Sequence, residues 1–522
     1  MDALDIGHLL ARAAGCYPDR PAWLDGETVV SFRQAENRTN RLARALVDLG
    51  MRSGDRIGML LPNCHQGLES ILAPMKAGMA VVPMNARLQP REHEFLLNDS
   101  GAFALIYAQE FRDHVAEFRG SLDTVKHFIC VGDTAAGDLS YDALLESASN
   151  DPPATVPDPD DLAWLFYTSG TTGQPKGAML THRNLTVMAQ SYLLDINPVA
   201  PEDVLLHAAP ITHGSGLCMF HHLARGATSA FPGTRRFEPR EIFAAIERYR
   251  VTTLFLAPTM INMLVGSEDR GHFDLSSLHT VIYGGGPMYT EHLVAAIGAL
   301  GSIFVQIFGQ GEAPMAITTL PIAEHRIDGD PAAMRRLASA GRAVTGVRVS
   351  VVDDDDRESP TGETGEIVVR GDLVMKGYWN NAAATRETLR NGWLHTGDLG
   401  NLDSDGYLYV TDRKKDMIIS GGSNIYPREV EEVVAAHPAV LDVAVIGVPH
   451  EKWGETVKAL VVLDRDGTAT AEDILDFCRQ NLAGYKKPTS VEFLPVLPKN
   501  AYGKVLKREL RDRYWSGHER RI

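Results

Sequence analysis

One stretch limits what this chain can fold into more than any other. Residues 162–177 read Leu-Ala-Trp-Leu-Phe-Tyr-Thr-Ser-Gly-Thr-Thr-Gly-Gln-Pro-Lys-Gly. The apolar run 162–167 predicts a buried strand. The chain then breaks into hydroxyls and glycines: Thr168, Ser169, Gly170, Thr171, Thr172 and Gly173. Glycines let a backbone turn tightly and aim its N–H groups at an anion. The hydroxyls add donors and Lys176 adds a point charge, which together make the donor set of a polyphosphate cradle. A Walker loop is excluded. It needs Gly-Lys-Ser/Thr closing onto a helix, whereas Gln174 and Pro175 stand between Gly173 and Lys176, and proline has no N–H to offer. Residues 177–180, Gly-Ala-Met-Leu, predict a second strand, so the motif is a strand–loop–strand clamp. A plain polar hairpin loop has the same composition, and the remaining chain must decide between the two.

A chain of 522 residues exceeds one ordinary core and predicts at least two domains. Its apolar fraction of 44% and charged fraction of 23% are those of a soluble globular protein. The net charge of −16 argues against a general nucleic-acid binder but leaves room for clefts that take anions. The first residues are acidic and lack the basic and apolar regions of a signal peptide. No run of about 18 uncharged apolar residues occurs, so no membrane span is expected; Lys76 interrupts the best candidate, 71–82. The five cysteines (Cys16, Cys64, Cys130, Cys218, Cys478) are widely spaced and form no CxxC pair, as expected of a reduced cytoplasmic protein with buried thiols. The last residues are not a peroxisomal Ser-Lys-Leu tail.

Strand and helix patterns alternate from Ser31 to about Tyr107. Residues 32–49 carry a helical period closed by Gly50, 56–61 a strand, and 81–83 a shorter strand after a helix stopped by Gly78. That alternation implies a parallel sheet covered by helices. His65, Lys76 and His93 are ordinary surface or core residues on this reading. Residues 151–161, rich in proline and aspartate, form a connection within the domain. Thr181 is the expected N-cap of a helix.

His213 follows Ile211-Thr212 and precedes Gly214-Ser215-Gly216, as in a pocket wall. The apolar residues Leu217, Cys218, Met219 and Met263 extend that wall. A strand ending at Tyr283 feeds Gly284-Gly285-Gly286, where a flat ligand can lie against backbone. Phe308-Gly309-Gln310-Gly311-Glu312 places an aromatic ring and a carboxylate close together. Asp398, between Gly397 and Leu399-Gly400, suits two vicinal hydroxyls, or an ordinary Asx turn. The charge cluster Asp412-Arg413-Lys414-Lys415-Asp416 ends one pattern, and a small α+β pattern follows it.

The full string YTSGTTGQPKGAMLTH resembles the phosphate loop of the adenylate-forming superfamily, which contains acyl-CoA synthetases, adenylation domains and beetle luciferases. The order and spacing of the later motifs extend that resemblance over nearly the whole chain. It implies an α/β fold: a large N-terminal domain of mixed parallel sheets flanked by helices, plus a β-barrel-like part, spanning 1–412. A small mobile α+β domain would span 413–522, with a hinge at 413–416 centred on Lys415. The resemblance assigns Thr168, Ser169, Gly170, Thr171, Thr172 and Lys176 to the phosphates of ATP. Gly284, Gly285, Gly286, Phe308 and Gly309 go to adenine, and Asp398 and Arg413 to ribose. Glu312, with Thr168, goes to Mg²⁺, and His213 lies near the substrate carboxylate. Lys504, in Pro498-Lys499-Asn500-Ala501-Tyr502-Gly503-Lys504, is the adenylating lysine, and Gly421 and Gly422 border the coenzyme A side. Two departures from the family pattern occur. Phe308 lacks the hydroxyl of a tyrosine, and Gly311 stands where the family carries threonine.

The implied reaction joins an apolar carboxylic acid (fatty, alicyclic or aryl) to AMP with release of pyrophosphate, then transfers the acyl group to coenzyme A. No acidic residue lies in 212–219 to hold an amino group, which argues against amino-acid substrates. Other adenylate acceptors, a carrier protein or oxygen, remain open, as does a non-catalytic nucleotide-binding protein. The sequence is compatible with a homodimer and specifies no oligomeric state.

Overall fold

The structure, a computed structural model, describes residues 5–168, 174–234, 236–327, 329–421, 423–464, 467–499 and 505–515. Among these residues the strands form four sheets, of seven, nine, five and five strands. The expected α/β class holds.

The seven-stranded sheet runs parallel through His127–Val131, Ala104–Ala108, Arg56–Leu60, Ala80–Pro83 and Leu162–Thr168. It closes with the antiparallel strand Lys176–Thr181, where Thr168 faces Lys176 and Leu162 faces Thr181. The predicted strand–loop–strand is thus a hairpin at the sheet's edge. Thr181 then caps the helix His182–Asp195 through a reciprocal pair of hydrogen bonds with Asn184. A second connection covers the hairpin's free edge. Met179 N–H donates to Gly377 O at 2.9 Å, Trp379 N–H to Gly177 O at 2.8 Å, and Ala178 bridges Tyr378. Residues 376–379 therefore act as an extra edge segment and carry Tyr378 to the mouth of the hairpin.

The nine-stranded sheet is parallel at its centre, with Val204–Leu206, Thr253–Leu256, Thr280–Tyr283 and Phe304–Phe308 side by side. The carboxyl ends of these strands and of Leu162–Thr168 open toward one another. Ligands bind at such edges in open α/β sheets. The core beneath them is closely packed: Trp164, Trp23 and Phe220 are completely buried. Trp164 stacks on Phe166 with ring centroids 6.3 Å apart.

The third sheet is antiparallel throughout and holds Arg348–Val352, Gly365–Arg370, Trp393–Leu402 and Leu408–Arg413. It stands where a barrel-like part is expected and is an open five-stranded sheet. The fourth belongs to the small α+β region that begins with Ile418–Ser420. Its long hairpin, Val440–His450 with Gly454–Leu463, is covered by the helices Pro427–Ala435, Ala471–Asn481 and Lys507–Trp515. Tyr289 of the large region packs into this small core, and Thr290 N–H donates to Glu432 at 3.3 Å. No helix among the described residues is long and apolar enough to cross a membrane.

Candidate active site

Three chain segments meet at Glu312. Thr168, the last residue of its strand, donates its hydroxyl to Glu312 Oε1 at 3.0 Å. Tyr378 donates to the same oxygen at 2.7 Å. The backbone N–H of Met375 holds Glu312 O at 2.8 Å. Burial and the adjoining carboxylate push the Tyr378 phenol well above its ordinary value, so it stays protonated and remains a donor. Lys176 Nζ lies 5.2 Å from the centre of the Tyr378 ring, within cation–π range. One carboxylate, two hydroxyls and one ammonium thus line the hairpin mouth. Among the described residues no cluster of three metal-ligating side chains occurs. A single carboxylate beside hydroxyls fits Mg²⁺ held jointly with phosphate oxygens, the usual arrangement for that ion.

Asp398 forms the second centre. It is buried on the strand Trp393–Leu402, directly opposite Arg413 in register. Arg413 Nε lies 3.2 Å from Oδ1, and Gln310 Nε2 donates to Oδ2 at 2.6 Å. The same amide reaches Thr396 O at 3.0 Å. Gln310 therefore ties the loop after Phe304–Phe308 to the neighbouring sheet.

The glycines between these centres keep backbone close to backbone. A Cβ on Gly284 would stand 2.5 Å from Ile307 O, and one on Gly309 would stand 2.7 Å from the carbonyl carbon of Met315. Gly285 has φ +77°, and Gly285 and Gly286 are exposed. A flat group can lie on this ledge, with Phe308 at its edge.

His213 sits at the start of the helix Gly214–Arg225. Its ring meets Phe166 edge to face, with centroids 4.8 Å apart. Burial pushes the imidazole down to about 3, so it is neutral near pH 7. Phe255 fills the space beside Gly214, where a Cβ would stand 2.5 Å from its Cζ. Leu217, Cys218 and Met219 continue the helix as buried residues of the main core. Met263 does not join them. Ile261 and Leu264 take the inward face of the helix Pro258–Val265, which turns Met263 outward to 48% exposure.

At the expected hinge, Lys414–Asp416 forms a single short turn after the strand Leu408–Arg413. The last helix grips it from both sides. Arg511 pairs with Asp416 at 2.6 Å, and Lys507 lies 2.7 Å from Glu431 and 3.8 Å from Asp412. Burial pulls the Lys507 ammonium down, but Asp412 and Glu431 outweigh it and hold it above its ordinary value. Burial and the charge of Arg413 push Lys415 down. Gly421 turns the hairpin between Ile418–Ser420 and Ser423–Ile425, and donates to Trp453 O at 2.9 Å. Ser169, Gly170, Thr171, Thr172, Gly422 and Lys504 lie outside the described residues.

The structure thus gathers Thr168, Tyr378 and Lys176 around Glu312, pairs Asp398 with Arg413, and sets His213 against Phe166; Phe308 ends the strand that leads into Gln310 and Glu312. The sequence reading gave Tyr378 and the Gln310 side chain no role. The only local sign of Tyr378 is an aromatic pair between glycine and asparagine, Gly377-Tyr378-Trp379-Asn380.

The chain that carries these two centres, at Glu312 and Asp398, falls into a recognised class of protein, the adenylate-forming enzymes. Residues 10–379 match the family model described as AMP-binding enzyme, and 429–504 match its C-terminal domain. The chain belongs to that family and is an acyl-CoA synthetase within it, an AMP-forming acid–thiol ligase. It is 39% identical to a feruloyl-CoA synthase of Amycolatopsis, over 98% of this chain and 99% of that one. A long-chain-fatty-acid–CoA ligase of Escherichia coli is 35% identical, over 97% and 93%. Among solved structures, the anthranilate CoA ligase AuaEII with anthranoyl-AMP superposes with a TM-score of 0.90 at 28% identity, over 98% of this chain and 97% of that one. The ATP-bound MatB of Rhodopseudomonas palustris gives 0.87 at 30%, over 98% and 100%.

Proposed function

We propose that this chain activates an apolar carboxylic acid (fatty, alicyclic or aryl) as its acyl-adenylate and passes the acyl group to coenzyme A. The single observation that carries the reading is the separation of chemistries in the cleft. Hydroxyls and an ammonium gather at Glu312 (Thr168, Tyr378 and Lys176), while aromatic rings gather at His213 and Gly214 (Phe166 and Phe255). In the first step a carboxylate oxygen attacks the α-phosphorus of ATP and the bond to pyrophosphate breaks. In the second, the thiol sulfur of coenzyme A attacks the acyl carbon, its proton goes to solvent, and AMP leaves.

Such a reaction needs alignment and charge neutralisation more than an acid or a base. Asp398 accepts the ribose hydroxyls while Arg413 and Gln310 fix its direction. The ledge at 284–286 and the Phe308 ring hold adenine. Mg²⁺, when bound at Glu312 and Thr168, supplies positive charge to the phosphates. Lys176 and the hydroxyl loop hold the leaving pyrophosphate. Neutral His213 and the first turn of its helix, whose free N–H groups favour an anion, steady the substrate carboxylate. Lys504 is the residue assigned to adenylation. The region 413–522 turns about Lys415 as a domain and brings Gly421 and Gly422 to the coenzyme A side. We read it as a cytoplasmic enzyme, and a homodimer is compatible with this scheme.

Pyrophosphate and AMP release, measured with fatty, alicyclic, aryl, amino and dicarboxylic acids with and without coenzyme A, tests the reading. Pyrophosphate release with apolar acids and AMP release that requires coenzyme A are expected. Preference for amino acids, or AMP release indifferent to coenzyme A, would overturn it.

A further inference from the structure

Gly311 departs from the family pattern, and the geometry shows what fills the place of the missing side chain. Phe166 and Thr168 are two apart on one strand, so their side chains share a face. That face lies against the loop that carries Gly311. A Cβ on Gly311 would stand 2.7 Å from Phe166 Cδ1 and 3.0 Å from Cε1, and closer still to Thr168 Cγ2. Neither neighbour is the far end of a flexible side chain. The Thr168 methyl belongs to a β-branched residue that is stiff at χ1. The Phe166 ring is held on its other sides by Trp164 and His213. The loop is fixed as well: Gln310 N–H donates to Ala313 O at 3.0 Å, and Met375 N–H to Glu312 O at 2.8 Å.

Both neighbours serve the cleft. Thr168 donates to Glu312, and Phe166 packs on His213. We infer that Gly311 is a positioning residue that joins the nucleotide side to the acid side. Its bare Cα lets Thr168 and Phe166 close on the loop together. Thr168 and Tyr378, and not residue 311, supply the hydroxyls beside Glu312. The inference rests on Glu312 and His213 having the roles proposed above. It also makes restoring the family's threonine harmful rather than helpful.

The experiment uses the full chain and the variants Gly311→Ala, Gly311→Thr, Gly311→Ala/Thr168→Ser and Gly311→Ala/Phe166→Leu. Steady-state pyrophosphate release gives KM for ATP, KM for the acid and kcat, and calorimetric titration with Mg·ATP gives affinity without turnover. Gly311→Ala should lose at least tenfold in kcat/KM, and Gly311→Thr more. Thr168→Ser keeps the hydroxyl and deletes the crowding methyl, so it should recover the ATP side. Phe166→Leu should recover KM for the acid and leave the ATP defect. A merely structural glycine would show no such split. Gly311→Thr at or above parental activity, or rescue by neither partner change, would overturn the inference. If Gly311→Ala fails to melt cooperatively, a cooperative melt regained with Thr168→Ser supports it, and one not regained overturns it. If the parent chain turns over none of the acids, the proposed function fails separately, and the Mg·ATP titrations of the same variants still decide the role of Gly311.

Discussion

The two sides of the cleft are built on different principles. The nucleotide side is directional: Thr168 and Tyr378 converge on one oxygen of Glu312, and Gln310 and Arg413 take one oxygen each of Asp398. These partners come from three sheets and the segment 376–379, and each is fixed by a hydrogen bond or ion pair. The acid side is a matter of volume: Phe166 against His213, Phe255 against Gly214, and buried Leu217, Cys218 and Met219. Hydrogen bonds to charged groups contribute about 1.5–3 kcal/mol each and depend on angle. Apolar contacts discriminate by about 1–3 kcal/mol per methylene and tolerate reshaping. On the function proposed above, the chemistry common to all substrates is held by direction, and the choice of acid by space.

The sharpest way to break this comparison is Lys504→Ala. Removal of one preorganised positive donor at a developing charge costs about a hundredfold to a thousandfold, and the loss should be the same for every acid. A supplied acyl-adenylate should still react with coenzyme A at near the parental rate. Rapid-quench measurement of the two half-reactions decides it, and equal loss in both would remove Lys504 from its assigned role. The mirror variant Lys415→Pro should spare adenylate formation and slow thioester formation.

A smaller effect is expected at Asp398. Asp398→Ala removes the group that Arg413 and Gln310 orient, and two charge-assisted hydrogen bonds at about 1.5 kcal/mol or more each convert to roughly a hundredfold in kcat/KM for ATP. Ratios between acids should not move. With 2′-deoxy- and 3′-deoxy-ATP the loss should shrink, because the hydroxyl that Asp398 serves is already gone. An undiminished loss with both analogues would assign Asp398 to the fold rather than to ribose.

What could be read from the sequence follows the same division. The hairpin pairing of 162–168 with 176–181 and the Thr181 cap were legible because they are local. The periodicity switches, glycine and proline punctuate it, and the cap lies three residues from its partner. Glu312 and Asp398 stood out as charges beside glycines, and Arg413 as part of a dense charge cluster. Tyr378 did not, because it arrives by pairing of 376–379 with the hairpin edge, some two hundred residues away in sequence. The bridging amide of Gln310 spans two sheets and leaves no periodic mark. Met263 is half exposed on a helix whose inward face is taken by Ile261 and Leu264, which an apolar letter does not reveal. The occupant of the space at Gly311 was hidden for the same reason, since packing partners on another strand set it.

Gly214→Ala sharpens the acid side. The added methyl collides with Phe255, so the ring must move into the space left for substrate. We expect kcat/KM for bulky aryl acids to fall about tenfold relative to slim aliphatic acids, the size of a one-methylene mismatch. KM for ATP should stay within twofold of the parent. An equal loss for both acid types, or a matching rise in KM for ATP, would place Phe255 outside the acid side.

The smallest effect on turnover is expected from protonation, although its effect on stability is not small. Burial holds His207 and His213 down to about 3, and His93, His222 and His325 down to about 4. His221 is also held far below its ordinary value by burial and by His222. In the unfolded chain each returns to about 6.5, so below that pH the unfolded state binds more protons. The stability these groups contribute is complete above pH 6.5. It is lost as pH falls from 6.5 toward 4 and then 3, at about 1.4 kcal/mol per pH unit for each histidine. Urea midpoints should therefore drop steeply between pH 6.5 and 4.5. Over the same range, while the chain stays folded, kcat/KM for the acid should show no ionisation assignable to His213, because the neutral ring is the form present throughout. The pH profile of His213→Asn, set against the parent, tests this. A break between pH 6 and 7 that vanishes in the variant would mean that the imidazole meets water and acts by charge. The acid side would then be directional after all, and the contrast between the two halves of the cleft would fail at its central residue.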